Sequence, residues 1–166
     1  LIRDKELAAK LDRNAKAVVS GDDAEAAIAE AREKIAKEPK NVNYYRALAR
    51  IFLQNKRFDE ALETFDEARK VNPSDPELDR NWADTKIRSY EARIDALRAE
   101  GKAEEADALE AEKAQFAFDD LLRRVEAYPN DLGLRYELGV MYFDNDYYDD
   151  AIQQFQLAQK SPKHRL

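Results

Sequence analysis

Two arginines, Arg46 and Arg50, stand four residues apart, the spacing that stacks side chains on one face of a helix. No acidic residue lies between Asn43 and Asn55 to neutralise them. A guanidinium fork grips carboxylate or phosphate through two parallel bonds, so the pair suits an anionic ligand. The chain as a whole has the opposite sign: 28 Lys plus Arg stand against 35 Asp plus Glu, a net charge of −7. A second cluster, Asp144-Asn145-Asp146-x2-Asp149-Asp150, superficially resembles a calcium loop. It lacks the glycine and the distal bidentate glutamate of that motif. Asn55-Lys56-Arg57-Phe58-Asp59-Glu60 has the same grammar, so the acidic stretch reads as a turn and a helix start, where carboxylates face the positive helix end. With no Cys and the single His164, disulfides, thiolate zinc sites, cysteine nucleophiles, histidine triads and multi-histidine cages are excluded. Carboxylates abound, but no Gly-rich phosphate loop or nucleophile motif accompanies them. The expectation is therefore no catalytic residue, no cofactor and no metal. The net charge and the lack of a dense basic run disfavour nucleic acid.

The elements that position these residues are helical. Ala, Glu, Lys, Leu and Arg are abundant and β-branched residues sparse. Four Gly and five Pro are few for a sheet protein with many tight turns. Pro39, Pro73, Pro129 and Pro162 give spacings of 34, 56 and 33. A period near 34 points to repeated helix–turn–helix units. Other positions keep the same ruler: Ala15, Ala49, Ala83 and Gly139 in a first helix, and Ala27, Ala61, Ala117 and Ala151 in a second. Small residues at fixed places let two helices approach closely while larger neighbours fill the groove between them. Ser20-Gly21-Asp22-Asp23, Asn55-Lys56 and Asn145-Asp146 mark turns. Asn72-Pro73-Ser74-Asp75-Pro76 reads as a stop, a cap and a helix-starting proline, and Asp131 as a further cap.

Two stretches carry a family resemblance: Tyr45-x2-Leu48-Ala49-x2-Phe52…Ala61-x3-Phe65-x2-Ala68…Pro73 and Leu138-Gly139-x2-Tyr142…Ala151-x3-Phe155-x2-Ala158. The chain resembles a tetratricopeptide repeat array of four repeats, 8–41, 42–75, 76–131 and 132–165, forming one domain over 1–166. The third copy is the least regular, with Asp79, Lys86 and Arg124 breaking the pattern. The resemblance implies an all-α, right-handed superhelical solenoid of helix pairs, with a concave groove for partners and no chemistry of its own. On that geometry the partner-facing side of the first helices carries Arg13 and Lys16, then Asn43, Arg46 and Arg50, then Arg80, Asn81 and Arg88, and finally Tyr136, Val140 and Phe143. Arg46, Arg50 and Asn81 fall where the carboxylate clamp of chaperone-binding members places polar groups. Gly133 and Glu137, however, replace that clamp's further cations, so a chaperone-tail receptor is not implied. Two readings of the arginines stand side by side: solvated helix-face charges, or a seat for an acidic peptide or chain terminus. The apolar trio likewise reads either as a face covered by a further helix or as a pocket for an aromatic or aliphatic anchor, with Tyr147 and Tyr148 following in its turn.

The third repeat is 56 residues long, 22 beyond the period, with its only turn signal at Glu100-Gly101-Lys102. Shared equally, the insertion adds eleven residues to each helix, about three full turns, which preserves the phase of the apolar face. Ala83, Ile87, Tyr90, Ile94 and Leu97 step as a coiled-coil seam. An antiparallel hairpin projecting roughly 16 Å is expected. It is either a rigid decoration or, through residues 84–116, a docking or self-association arm. The leading function is a non-catalytic scaffold that binds a protein or peptide partner; the alternative is a structural or oligomerisation element acting through the hairpin. No apolar run of about 18 residues exists, so no direct membrane insertion is expected. The sequence begins at Leu1 with a charged stretch and reads as a segment of a longer protein. Lack of cysteine fits a reducing compartment and is compatible with any other, a periplasm included if a leader lies outside the segment.

Overall fold

The computed structural model describes residues 21–159, and every regular element among them is an α-helix. The expected first helix of repeat one, with Arg13, Ala15 and Lys16, lies outside the described residues. The chain divides into two compact units between Val71 and Asn72.

The first unit contains α1 (Gly21–Lys37), α2 (Val42–Gln54) and α3 (Phe58–Val71). Asn41 starts α2 by accepting the Asn43 N–H at 3.2 Å, satisfying an amide the helix cannot pair internally. Ile28, Ala31, Leu48, Phe52 and Ala61 form its core, joined by Ile35, Ile51 and Leu53. Arg57 clamps the unit from outside. Its guanidinium bonds Glu25 of α1 and Glu60 of α3 and lies 4.9 Å from the centroid of the Phe52 ring. These bonds raise the Arg57 pKa and hold the Glu60 carboxyl below its ordinary range.

The second unit contains α4 (Pro76–Ala99), α5 (Ala103–Ala127), α6 (Leu132–Asp144) and α7 (Tyr148–Ala158). Asp75 caps α4 through the Glu77 and Leu78 amides at 3.0 and 3.3 Å, with Pro76 as first residue. Asp131 caps α6 in the same way through Gly133 and Leu134. The helices α4 and α5 run 24 and 25 residues, against 13 and 14 for α2 and α3, so each is eleven residues longer. They pack against each other along a line that ends at Gly101, whose φ of +77° turns the chain back. Trp82 and Tyr90 meet Phe116 at 5.9 and 6.0 Å between ring centroids, and Ile94, Ala106 and Leu109 form the distal core. Beyond it, Arg98 ties the two helices to each other through Glu110 at 2.5 Å. At the base Leu134 and Leu138 of α6 pack on Leu121 and Val125 of α5, and Phe118 meets Tyr142 edge-on at 5.7 Å.

The turn inside the short pairs recurs in detail. Asn55 and Asn145 each cap a helix, and their Nδ2 atoms donate to the carbonyls of Ile51 and Met141 at 2.8 Å. The next residues, Lys56 and Asp146, have φ of 58° and 66°. Then the Arg57 and Tyr147 amides reach back to Phe52 and Tyr142, both at 2.9 Å. Ala61 and Ala151, and Ala68 and Ala158, are buried at matching places. At Gly139 a Cβ would lie 2.6 Å from the Phe155 ring, so the close approach of α6 and α7 requires glycine there. This is an all-α helical-repeat fold.

Candidate partner-binding surfaces

The cationic face belongs to the first unit. Asn43, Arg46 and Arg50 lie on α2, a helix with two arginines and no carboxylate. Asn43 and Arg46 touch, Nη1 donating to Oδ1 at 3.4 Å, while Arg50 is exposed. Tyr45, Leu48, Ala49 and Phe52 bury the opposite side of the helix, which is what turns Asn43 and Arg50 outward.

The second unit treats its cations differently. Arg80 is exposed, but its guanidinium is held by Glu137 of α6, and this bond raises the Arg80 pKa. Glu137 was noted in the sequence only as a departure from the clamp; in the fold it ties the base of α4 to α6. Asn81 is half-buried, and its carbonyl accepts the Thr85 hydroxyl at 2.7 Å. Arg88 is exposed further along α4. On α6 the trio Tyr136, Val140 and Phe143 is exposed, with Tyr136 against Phe155 at 5.6 Å and Phe143 edge-on to Tyr148 at 5.6 Å. Tyr148 also donates to Asp146 at 2.5 Å, which raises its pKa. No large exposed apolar side chain among the described residues lies in the hairpin span 84–116.

Over residues 19–80 the sequence matches the tetratricopeptide repeat family. The match covers that stretch, which takes in α1 to α3 and the start of α4. No curated protein matches it. Among solved structures it is similar to the crystal structure of MamA protein, at 17% identity and a TM-score of 0.40 over 90% of this chain and 85% of that one. It is also similar to YrrB, described as a TPR protein with an unusual peptide-binding site, at 19% identity and a TM-score of 0.37 over 80% and 75% of the two chains. None of the described helices is long and apolar enough to cross a membrane.

One group of residues was misjudged by repeat pattern alone. Asp79 and Arg124 break the repeat, but they are buried members of a charge network at the hairpin base. Arg123 donates to Asp79 at 3.2 Å and to Asp120 at 2.9 Å; Arg124 donates to Asp120 at 2.7 Å; the Tyr128 hydroxyl donates to Asp79 at 2.7 Å. Two buried carboxylates facing two guanidiniums are balanced in charge, which is the condition under which such groups tolerate burial. The available signal was the i, i+4 spacing of Asp120 and Arg124 within α5 and, across the hairpin, the opposite charges of Asp79 and Arg123.

Proposed function

We propose that this tetratricopeptide repeat protein is a non-catalytic scaffold whose α2 face, built from Asn43, Arg46 and Arg50, holds an acidic peptide or chain terminus of a partner protein. The observation that carries this reading is a helix with two arginines four apart and no carboxylate, in a protein of net charge −7. Such a face attracts an anion by contrast with the rest of the surface, and paired guanidiniums give it direction. Asn81, Arg88, Tyr136, Val140 and Phe143 are carried by the other unit, and Arg13 and Lys16 are assigned to the partner-facing side by sequence alone. Nucleic acid is not the ligand, because its dense charge would meet carboxylates over most of the surface. Oligomerisation through the hairpin is the weaker alternative, since its outward side chains over 84–116 are polar or small.

The test is fluorescence anisotropy with an acidic peptide on wild type and on Arg46→Glu/Arg50→Glu. Charged hydrogen bonds of about 1.5–3 kcal/mol each predict a loss on the order of 100-fold for the double reversal. Equal affinities reject the proposal.

A further inference from the structure

Six large apolar side chains are exposed among the described residues, and all belong to α6, α7 or the turn between them: Tyr136, Val140, Phe143, Tyr147, Tyr148 and Ile152. Phe143 is 55% exposed and Ile152 54%. The ring contacts Tyr136–Phe155 and Phe143–Tyr148 join the two helices into one surface rather than scattered residues. Contiguous apolar surface of this kind marks a docking site.

The same unit displays what such a surface accepts. One repeat period of 34 earlier, the positions of Ile152 and Phe155 are held by Phe118 and Leu121 of α5. There they are covered by a helix, α6, which lays Leu134, Leu138, Met141 and Tyr142 over them and their neighbours. The helix α7 carries the corresponding face with Ile152 open to solvent. The geometry already used once within this unit is therefore a helix lying in the groove, with apolar residues spaced i, i+4, i+7 and i+8.

Charge fixes the rest of the partner. On α6, α7 and the turn between them the single basic residue is Arg135, which donates to Gln154 at 3.5 Å, whereas Glu137, Asp144, Asp146, Asp149 and Asp150 are acidic. Glu137 is taken by Arg80; the other four are exposed around the turn and the start of α7. A symmetric pairing of two copies through this face would bring each acidic rim against its own image, which is unfavourable. We infer that the α6–α7 face seats an amphipathic helix of a partner protein, with large aliphatic or aromatic residues at that spacing and basic residues flanking them. This inference is independent of the α2 arginines and asks for the opposite charge.

The probe is a synthetic Ala/Lys helix carrying Leu, Leu, Met and Tyr at the spacing of 134, 138, 141 and 142. It is compared with a peptide of the same composition in scrambled order and with one having Glu for Lys, all titrated into the full chain. Because Ile152 and Phe143 are exposed, Ile152→Lys and Phe143→Lys should retain the helical circular dichroism of the wild type. The patterned Lys peptide is expected to bind at least about tenfold more tightly than either control. Ile152→Lys should weaken it by a similar factor, and Arg46→Glu/Arg50→Glu should not weaken it. Equal binding of the scrambled peptide, equal binding of the Glu peptide, no binding of the patterned peptide, or an Ile152→Lys variant that binds like wild type would each overturn the inference. So would sedimentation showing that the wild type alone is a dimer and that Ile152→Lys is monomeric, because the occupant would then be a second copy.

Discussion

Replacing Arg124 with leucine removes one cation from the charge network at the hairpin base. The side chains of Arg124 and Asp120 are 10% and 5% exposed, and their bond is 2.7 Å long. The substitution costs one buried charged hydrogen bond, about 1.5–3 kcal/mol. It also leaves Asp120 buried with Arg123 as its remaining partner, and Arg123 is itself shared with Asp79. Breaking one side of a buried ion pair typically costs about 3–5 kcal/mol. Because Arg123 still neutralises part of the charge and its own side chain is 43% exposed, the lower end applies, about 3 kcal/mol. For a unit of this size that lowers Tm by roughly 15 °C. Trp82, the single tryptophan, packs on Phe116 in the hairpin, so urea unfolding followed by its fluorescence reports on this unit. The double variant Asp120→Ala/Arg124→Leu should recover most of the loss, since an absent pair is far less costly than a broken one. A loss below about 1 kcal/mol for Arg124→Leu, or no recovery in the double variant, would show that the network is not satisfied by these mutual bonds.

Three further outcomes follow from particular contacts. Gly139→Ala places a methyl 2.6 Å from the Phe155 ring, and over-packing of about 1–3 kcal/mol outweighs the helix-propensity gain of about 1 kcal/mol; a net loss of roughly 1 kcal/mol in urea unfolding is expected, relieved by Phe155→Leu. Lys56 and Asp146 sit at positive φ, so Lys56→Gly should raise stability by about 0.5–1 kcal/mol and Asp146→Gly by less, because aspartate tolerates that region better than lysine; thermal melts of the two variants decide it. Glu60 has a folded pKa below its ordinary 4.5, so its contribution is present above that value and disappears as pH falls through the lower folded value. A urea series across that window should show stability falling on acidification, with a smaller fall in Arg57→Ala; an unchanged slope in the variant would show that Arg57 is not the cause.

The repeat was legible wherever local chemistry sets the chain's path. Proline spacing, small residues and Asn-x turns locate α2, α3, α6 and α7, because each depends on a residue type that few others can replace: a short side chain at a close approach, a capping carboxamide, a cap aspartate. The length of the inserted hairpin followed from the spacing of 56 against 34, and sharing the surplus as about three turns per helix keeps Ala83, Ile94 and Leu109 on the inner side. Two features were hidden because they are pairings between distant positions. Arg80 with Glu137, and Asp79 with Arg123 and Tyr128, join residues whose individual types look like surface charges or pattern faults. The cationic α2 face was visible as a run without carboxylates, while the openness of Ile152 emerges only when its surroundings are seen in three dimensions.

The central reading, that an acidic partner segment lies on α2, is tested most directly by titrating the 15N-labelled chain with an acidic peptide and following backbone amide shifts. The account predicts saturable changes grouped at Asn43, Arg46 and Arg50, abolished by reversing both arginines. Changes that are unsaturable, or that group elsewhere and survive the reversal, would contradict it.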